Sequence, residues 1–339
     1  MTDAELRDLA VDELLGTTVG YTYFTKKGTT PGPKSRWGKA LAYLDQIDQP
    51  PPPPPASKSA LGVYVGGQNP TGVDNFGTWL GRQPTYALDW MGGDDWASIT
   101  GQSWSPLPAW KGKGYTVVLG VPMFPQGGSL YNGALGYYDA NWEKLAQHIK
   151  ATDVPVVVRV GWEFGGGWYP WVVDSLAKAD DYASYFQRIV YAMHQGDVYM
   201  PFLWNPIWGW QAVDPTLAYP GDEFVDYIGI DVYDQSWIPN YTDPAARWQD
   251  FMDAPYGGKF WRDFATQQGK PLCIPEWGLA IRSDGHGGGD APYFIERMAD
   301  YIEANCAWHA YFEYDAPDGK HALKNFPIGA AAFRRRFGA

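Results

Sequence analysis

VVVRVGWEFGGGWYPW, residues 156–171, joins two kinds of sequence that seldom meet in one stretch. Its first five residues are β-branched apart from Arg159 and are apolar on both faces, as a buried parallel strand requires. Glu163 then stands between Trp162 and Phe164, followed by three glycines and two further tryptophans. A strand of this kind opens into a loose aromatic mouth with one carboxyl at its lip. PLCIPEWGLA, residues 271–280, repeats the form, with Glu276 beside Trp277.

Working outward, eight short apolar segments read as strands: 61–66, 86–90, 116–121, 154–160, 200–204, 227–232, 272–275 and 308–312. Helical spacing lies between several of them, over 135–151, 180–195, 248–267, 295–305 and 322–337. The two connections before residue 116 are weakly helical. Eight βα units across residues 60–339 fit the α/β class and, within it, a (β/α)8 TIM barrel. A doubly wound sheet would want a glycine-rich phosphate loop after its first strand, and GGQNPTG, residues 66–72, fits that poorly.

Residues 1–48 are set apart. Residues 2–15 have helical periodicity and a second short helix is expected over 39–47, giving a small helical N-terminal docking module. Residues 49–59 form a proline-rich linker containing the run Pro50 to Pro55, a stiff polyproline II spacer. The opening residues are acidic and amphipathic, unlike a signal peptide.

The net charge of −12 argues against nucleic acid or an anionic membrane surface as partner. No apolar run approaches the roughly 20 residues that span a bilayer. The two cysteines, Cys273 and Cys306, need no disulfide framework, and no Cys/His cluster suggests a metal or cofactor. The chain holds 18 Trp and 23 Tyr, many beside Gly, Pro, Asn or Asp. Such rings on loops stack on sugar faces, so a polysaccharide is the expected partner.

In a barrel, chemistry gathers at the C-terminal strand ends. Those ends carry Asp89 and Trp90, Arg159, Trp162 and Glu163, Asn205, Asp231 and Tyr233, Glu276 and Trp277, and Glu313. Asp231 either orients a neighbour or bonds backbone. Asp94, Asp95 and Glu313 either line the cleft or are solvated acids, and His286 reads as part of a mobile loop. Glycoside hydrolysis needs two carboxyls flanking the scissile bond. Glu163 and Glu276, on the fourth and seventh strands, lie across the barrel from each other. A neighbouring Trp lowers hydration and raises a carboxyl pKa, as a general acid needs. Acid and nucleophile are not distinguished by this chemistry alone.

R-x-x-W-E-F-x-G-G-W-Y-P-W from Arg159, FLWNP from Phe202, YPGDEFVDYIGIDVYD from Tyr219 and KPLCIPEWG from Lys270 resemble glycoside hydrolase family 26. This is the β-mannanase-like branch of the retaining clan A barrels, and the resemblance runs through most of residues 60–330. It implies Glu163 as acid/base, Glu276 as nucleophile, Tyr233 hydrogen-bonded to the nucleophile, and Trp168 and Trp171 as sugar platforms. Asp89, Trp90, Arg159, Asn205 and Trp277 complete the expected substrate-binding set. The family usually has His before the acid/base, where it contacts the sugar at the cleavage site. Here Trp162 stands there, which predicts altered substrate selection.

The segments ELLGTTVGYTYFTKKG and PGPKSRWGKALAYLDQI resemble modules of minor tail or lysis-associated proteins of phages infecting actinobacteria. That resemblance implies a hydrolase tethered through residues 1–48 to a virion tail or baseplate, acting outside the cell on a host envelope glycan such as mannan, arabinan or galactan. A carbohydrate-binding adhesin without turnover is the alternative.

Overall fold

The computed structural model describes residues 59–196 and 199–339; the expectations for residues 1–58 lie outside them. The first described strand, β1 (Ala60–Tyr64), is followed by β2 (Tyr86–Trp90), β3 (Thr116–Val121), β4 (Val156–Val160), β5 (Phe202–Trp204) and β6 (Tyr227–Gly229). β7 (Val232–Tyr233) continues the course of β6. β8 (Leu272–Gly278), β9 (Ile281–Arg282), β10 (Cys306–Phe312) and β11 (Gly319–Lys320) complete the set. The sheet runs β10-β1-β2-β3-β4-β5-β6-β8, and β10 closes the ring by pairing in parallel with both β8 and β1. With helices wrapped outside, this is the expected (β/α)8 barrel. β9 and β11 form a small antiparallel pair at its C-terminal end.

All eight expected strands are present, with ends shifted by a few residues. The weakly helical first connection holds a well-capped helix, Pro70–Leu80. Asn69 accepts from the N–H of Gly72, Pro70 sits where no helical N–H is needed, and Gly81 ends the helix at φ 81°. The single helix expected over 248–267 is two, Pro244–Asp253 and Gly258–Gln267. The break lies at Tyr256, with φ 53°, and at Gly257, where a Cβ would stand 2.4 Å from the Phe251 carbonyl oxygen.

Side-chain alternation along the strands positions the site. Val156, Val158 and Val160 of β4 join the core between sheet and helices, whereas Val157 faces the barrel interior with Leu88, Val118, Leu203 and Cys273. The inward phase therefore continues to Arg159 and Glu163. On β5 it runs from Leu203 to Asn205, and beyond β6 from Tyr227 through Asp231 to Tyr233.

β8 breaks this rule. Between His309 and Tyr311 the β10 strand advances two residues, while the paired residues of β8 run from Ile274 to Trp277, an advance of three. Such a bulge re-aims the side chains beyond it. Ile274 packs outward, yet two residues later Glu276 meets Arg159 in the interior and Trp277 turns out into the helical core.

Candidate active site

Arg159 occupies the centre of the inward-facing set and is almost wholly buried. Its Nε donates to Asn205 Oδ1 at 2.7 Å and its Nη2 to Asp231 Oδ2 at 2.5 Å. Nη1 donates to Glu276 Oε1 in an ion pair. The other oxygen of Glu276, Oε2, accepts from the Tyr233 hydroxyl at 3.1 Å. Asn205 turns its amide N–H toward the Pro206 carbonyl at 3.1 Å, so both ends of that amide are bonded. The Glu276 carboxylate is thus gripped on both oxygens by donors from two other strand ends.

Glu163 sits across the mouth. Its backbone has φ 53°, a left-handed conformation that a non-glycine residue holds at a cost of about 1–3 kcal/mol. Neighbouring contacts hold it there. The Glu163 N–H donates to the Asn205 carbonyl at 2.7 Å, the Gly166 N–H donates to the Glu163 carbonyl at 2.9 Å, and Phe164 is buried against Tyr182 and Trp204. The Trp168 indole N–H donates to Glu163 Oε2 at 2.9 Å.

The electrostatics separate the two glutamates. Burial, then the charge of Glu276, pushes the Glu163 carboxyl up to about 7, while Arg159 and the Trp168 bond pull it down. Burial also raises Asp231 well above the usual carboxylate range against the pull of Arg159, with Glu276 and Glu163 adding to the rise. Burial depresses Arg159, but Asp231 and Glu276 outweigh it and hold the guanidinium above its ordinary value. One guanidinium faces three carboxyls, so a proton retained on Glu163 near neutrality relieves like-charge crowding.

These groups open into a cleft of about 970 Å³, lined by Glu163, Trp168, Tyr169, Asp231, Tyr233 and Glu276 at one end. Trp208, Trp210, Trp237 and Arg282 line it farther out, with Phe312 and His321 also on its wall. Trp168, Trp210 and Trp237 are 62%, 79% and 58% exposed, so their rings are free to stack on a ligand.

Several expected site residues lie elsewhere. Trp277 is 0% exposed and packs on His309, Tyr311 and Phe333, so the β8 bulge removes it from the cleft. Trp171 is buried and donates to the Trp162 carbonyl at 2.8 Å, so it offers no free face to a sugar. Trp162 falls on the outward phase of β4 and is also buried; its indole donates to the Tyr169 hydroxyl at 3.0 Å. Asp89 is likewise in the outward phase. It accepts from the Gln68 and Trp90 N–H groups and from Trp110 Nε1, and so fixes a loop. Trp90 faces inward but packs edge-on against Tyr64 rather than lining the cleft. Arg159 and Asn205 are buried beneath the carboxyls and hold them.

The secondary candidates also resolve. Asp231 does orient a neighbour, Arg159. Asp95 caps the short helix Trp96–Ile99, and Glu313 accepts from the Leu323 N–H at 2.8 Å. His286 belongs to a tied loop: its Nδ1 meets the Ser236 carbonyl at 3.1 Å and its ring stacks on Trp237. Sequence reading passed over Tyr169, Trp208, Trp210, Trp237 and His321. The first of these lay within the opening motif, and Trp208 and Trp210 lie just past FLWNP.

Residues 128–270 match Glycosyl hydrolase family 26; that span includes Glu163 and stops short of Glu276. A mannan endo-1,4-beta-mannosidase of Bifidobacterium adolescentis is 28% identical over 177 residues, 49% of this chain and 17% of that protein. A beta-1,3-xylanase of Alcaligenes sp. is 28% identical over 148 residues, 41% of this chain and 29% of that protein. The chain therefore spans less than a third of the length of these curated relatives. Among solved structures, GH26C from Muricauda superposes with a TM-score of 0.59 at 18% identity, covering 87% of this chain and 88% of that one. A modular endo-beta-1,4-mannanase from Cellulomonas fimi gives 0.57 at 18%, covering 86% and 73%. The structural likenesses concern the fold. Over residues 128–270 the chain is similar to glycoside hydrolase family 26, and the solved structures share its barrel fold.

Proposed function

We propose that the protein is a retaining O-glycoside hydrolase that cleaves a polysaccharide by double displacement. The observation that carries this reading is the unequal treatment of two glutamates at one cleft. Glu163 is pushed up to about 7, while Glu276 is ion-paired to Arg159 and hydrogen-bonded to Tyr233. The former suits a proton donor at neutral pH and the latter a positioned anionic nucleophile.

In the first step a Glu276 oxygen attacks the anomeric carbon and the bond to the glycosidic oxygen breaks. Glu163 transfers its proton to that oxygen, releasing the leaving chain as an alcohol. Glu163, now a carboxylate, then takes a proton from water as the water oxygen attacks the same carbon and frees Glu276. Inversion occurs twice, so the product keeps the starting anomeric configuration. The exposed rings of Trp168, Trp210 and Trp237 along the cleft suit a chain of several sugars.

The substrate class is a β-linked polysaccharide of the mannan or xylan kind, as the names of the two curated relatives suggest. The finer reading is a bacterial envelope glycan, mannan, arabinan or galactan, reached by a protein tethered at a virion tail through residues 1–48. The proline run and the phage-like segments before it support that reading.

The test is release of reducing ends from β-1,4-mannan, β-1,3-xylan, β-1,4-glucan and mycobacterial-type mannan, arabinan and galactan. The wild type should cut at least one. Glu276→Gln should bind that polymer and turn it over at least about 10⁴-fold more slowly. NMR of the nascent product should show a retained anomer. Binding without release from any polymer would leave the carbohydrate-binding adhesin in place of the enzyme.

A further inference from the structure

Tyr169 lines the cleft beside Glu163, yet its hydroxyl is engaged from behind. Trp162 Nε1 stands 3.0 Å from the Tyr169 oxygen. An indole nitrogen can only donate, so the phenol oxygen must accept. A phenol has one proton to give, and no described residue takes that of Tyr169. The ring itself is immobilised, stacked on Trp171 at 4.6 Å with 9° between planes and edge-on to Trp162 at 4.9 Å. Burial, then the charges of Glu163 and Glu276, raises the Tyr169 hydroxyl, so it keeps its proton at working pH. Tyr169, Glu163 and Glu276 line the same cleft.

We propose that Tyr169 is a specificity-determining residue: its O–H, with acceptor capacity engaged by Trp162, donates to a hydroxyl oxygen of the sugar lodged between Glu163 and Glu276. The inference rests on the glycosidase reading. In the free cleft water accepts from this half-buried donor, but a bound sugar that displaces the water must supply an acceptor itself. A sugar whose stereochemistry presents an oxygen there is favoured, and one whose oxygen points away leaves the donor unmet. Trp162 never touches the sugar. It is a positioning residue, and it makes the hydroxyl one-directional, a donor toward the cleft.

The experiment compares kcat/KM on the polysaccharides above for wild type, Tyr169→Phe, Trp162→Phe and the double variant. Phe at 169 keeps the ring stack and removes only the hydroxyl. Tyr169→Phe should lower kcat/KM on the best substrate about 10-fold and shrink its lead over the others by a similar factor. Trp162→Phe should shrink the lead as well, and the double variant should be no less selective than Tyr169→Phe alone. Tyr169→Phe with wild-type rates and wild-type ranking overturns the inference and leaves the glycosidase reading standing. So does a Trp162→Phe protein that loses stability but keeps the full ranking. Failure of the wild type to cut any polymer removes the glycosidase reading and this inference with it.

Discussion

Trp168 donates its indole N–H to Glu163 Oε2 at 2.9 Å while leaving most of its ring in solvent. On the proposed mechanism, one residue would both offer a sugar platform and hold the proton donor. The bond lowers the Glu163 carboxyl against the rise from burial. Trp168→Phe should keep much of the platform and lose the bond, moving the alkaline limb of kcat/KM to higher pH. Trp168→Ala should do this and raise KM as well. A pH profile of kcat/KM for both variants separates the two effects.

Glu163 must carry its proton to act as acid, and its carboxyl lies at about 7. kcat/KM of the wild type should fall as pH rises past that value. Glu163→Gln should lose this limb together with about 10²–10⁴ of rate.

The same shift acts on stability. A carboxyl raised on folding favours the folded state below its unfolded value, and that contribution is lost as pH rises through the folded value. Glu163→Gln is neutral throughout. Its melting temperature should exceed that of the wild type at about pH 8 and show no such gain at about pH 4. Paired thermal melts check the sign.

Arg159 is the sole cation bonded to Asp231 and Glu276 among the described residues. Arg159→Met removes one partner and leaves two interior carboxyls unpaired, at a cost of about 3–5 kcal/mol. Urea unfolding at neutral pH should report that loss.

Trp277 and Trp237 make a contrasting pair. Trp277→Ala opens the core between sheet and helices and should cost about 3–5 kcal/mol. Trp237→Ala removes an exposed ring on the cleft wall, so it should leave the melting temperature nearly unchanged. It should raise KM for long chains more than for short ones. Denaturation and a chain-length series of oligosaccharides read the two effects.

Much of the barrel was legible in the sequence because buried parallel strands are apolar on both faces and short. Glu163 and Glu276 stood out because each closes an apolar strand beside a tryptophan; Asp89 ends a strand beside Trp90 as well, yet fixes a loop. Alternation separates true cleft residues from neighbours that merely adjoin them in sequence. On β4 it sends Arg159 and Glu163 inward and Trp162 outward, and on β2 it sends Trp90 inward and Asp89 outward. Reading both residues at each strand end therefore gathered Trp162 and Asp89 along with the true lining. Trp277 is different. Simple alternation from Cys273 would point it inward and Glu276 outward; only the pairing with β10 reveals otherwise. Trp210 and Trp237 were hidden for another reason. They lie on loops whose course depends on distant contacts, such as the stacking of His286 on Trp237.

The irregular pairing of β8 makes the chemistry depend on strand pairing as much as on residue identity. The bulge absorbs one extra residue between Ile274 and Trp277. Were the same residues paired evenly with β10, Glu276 would press against the helices and the Trp277 indole against Arg159. Every residue of the site would still be encoded. A comparison that matched composition or motif alone would score such a protein as intact, although Glu276 had gone to the wrong side of the wall.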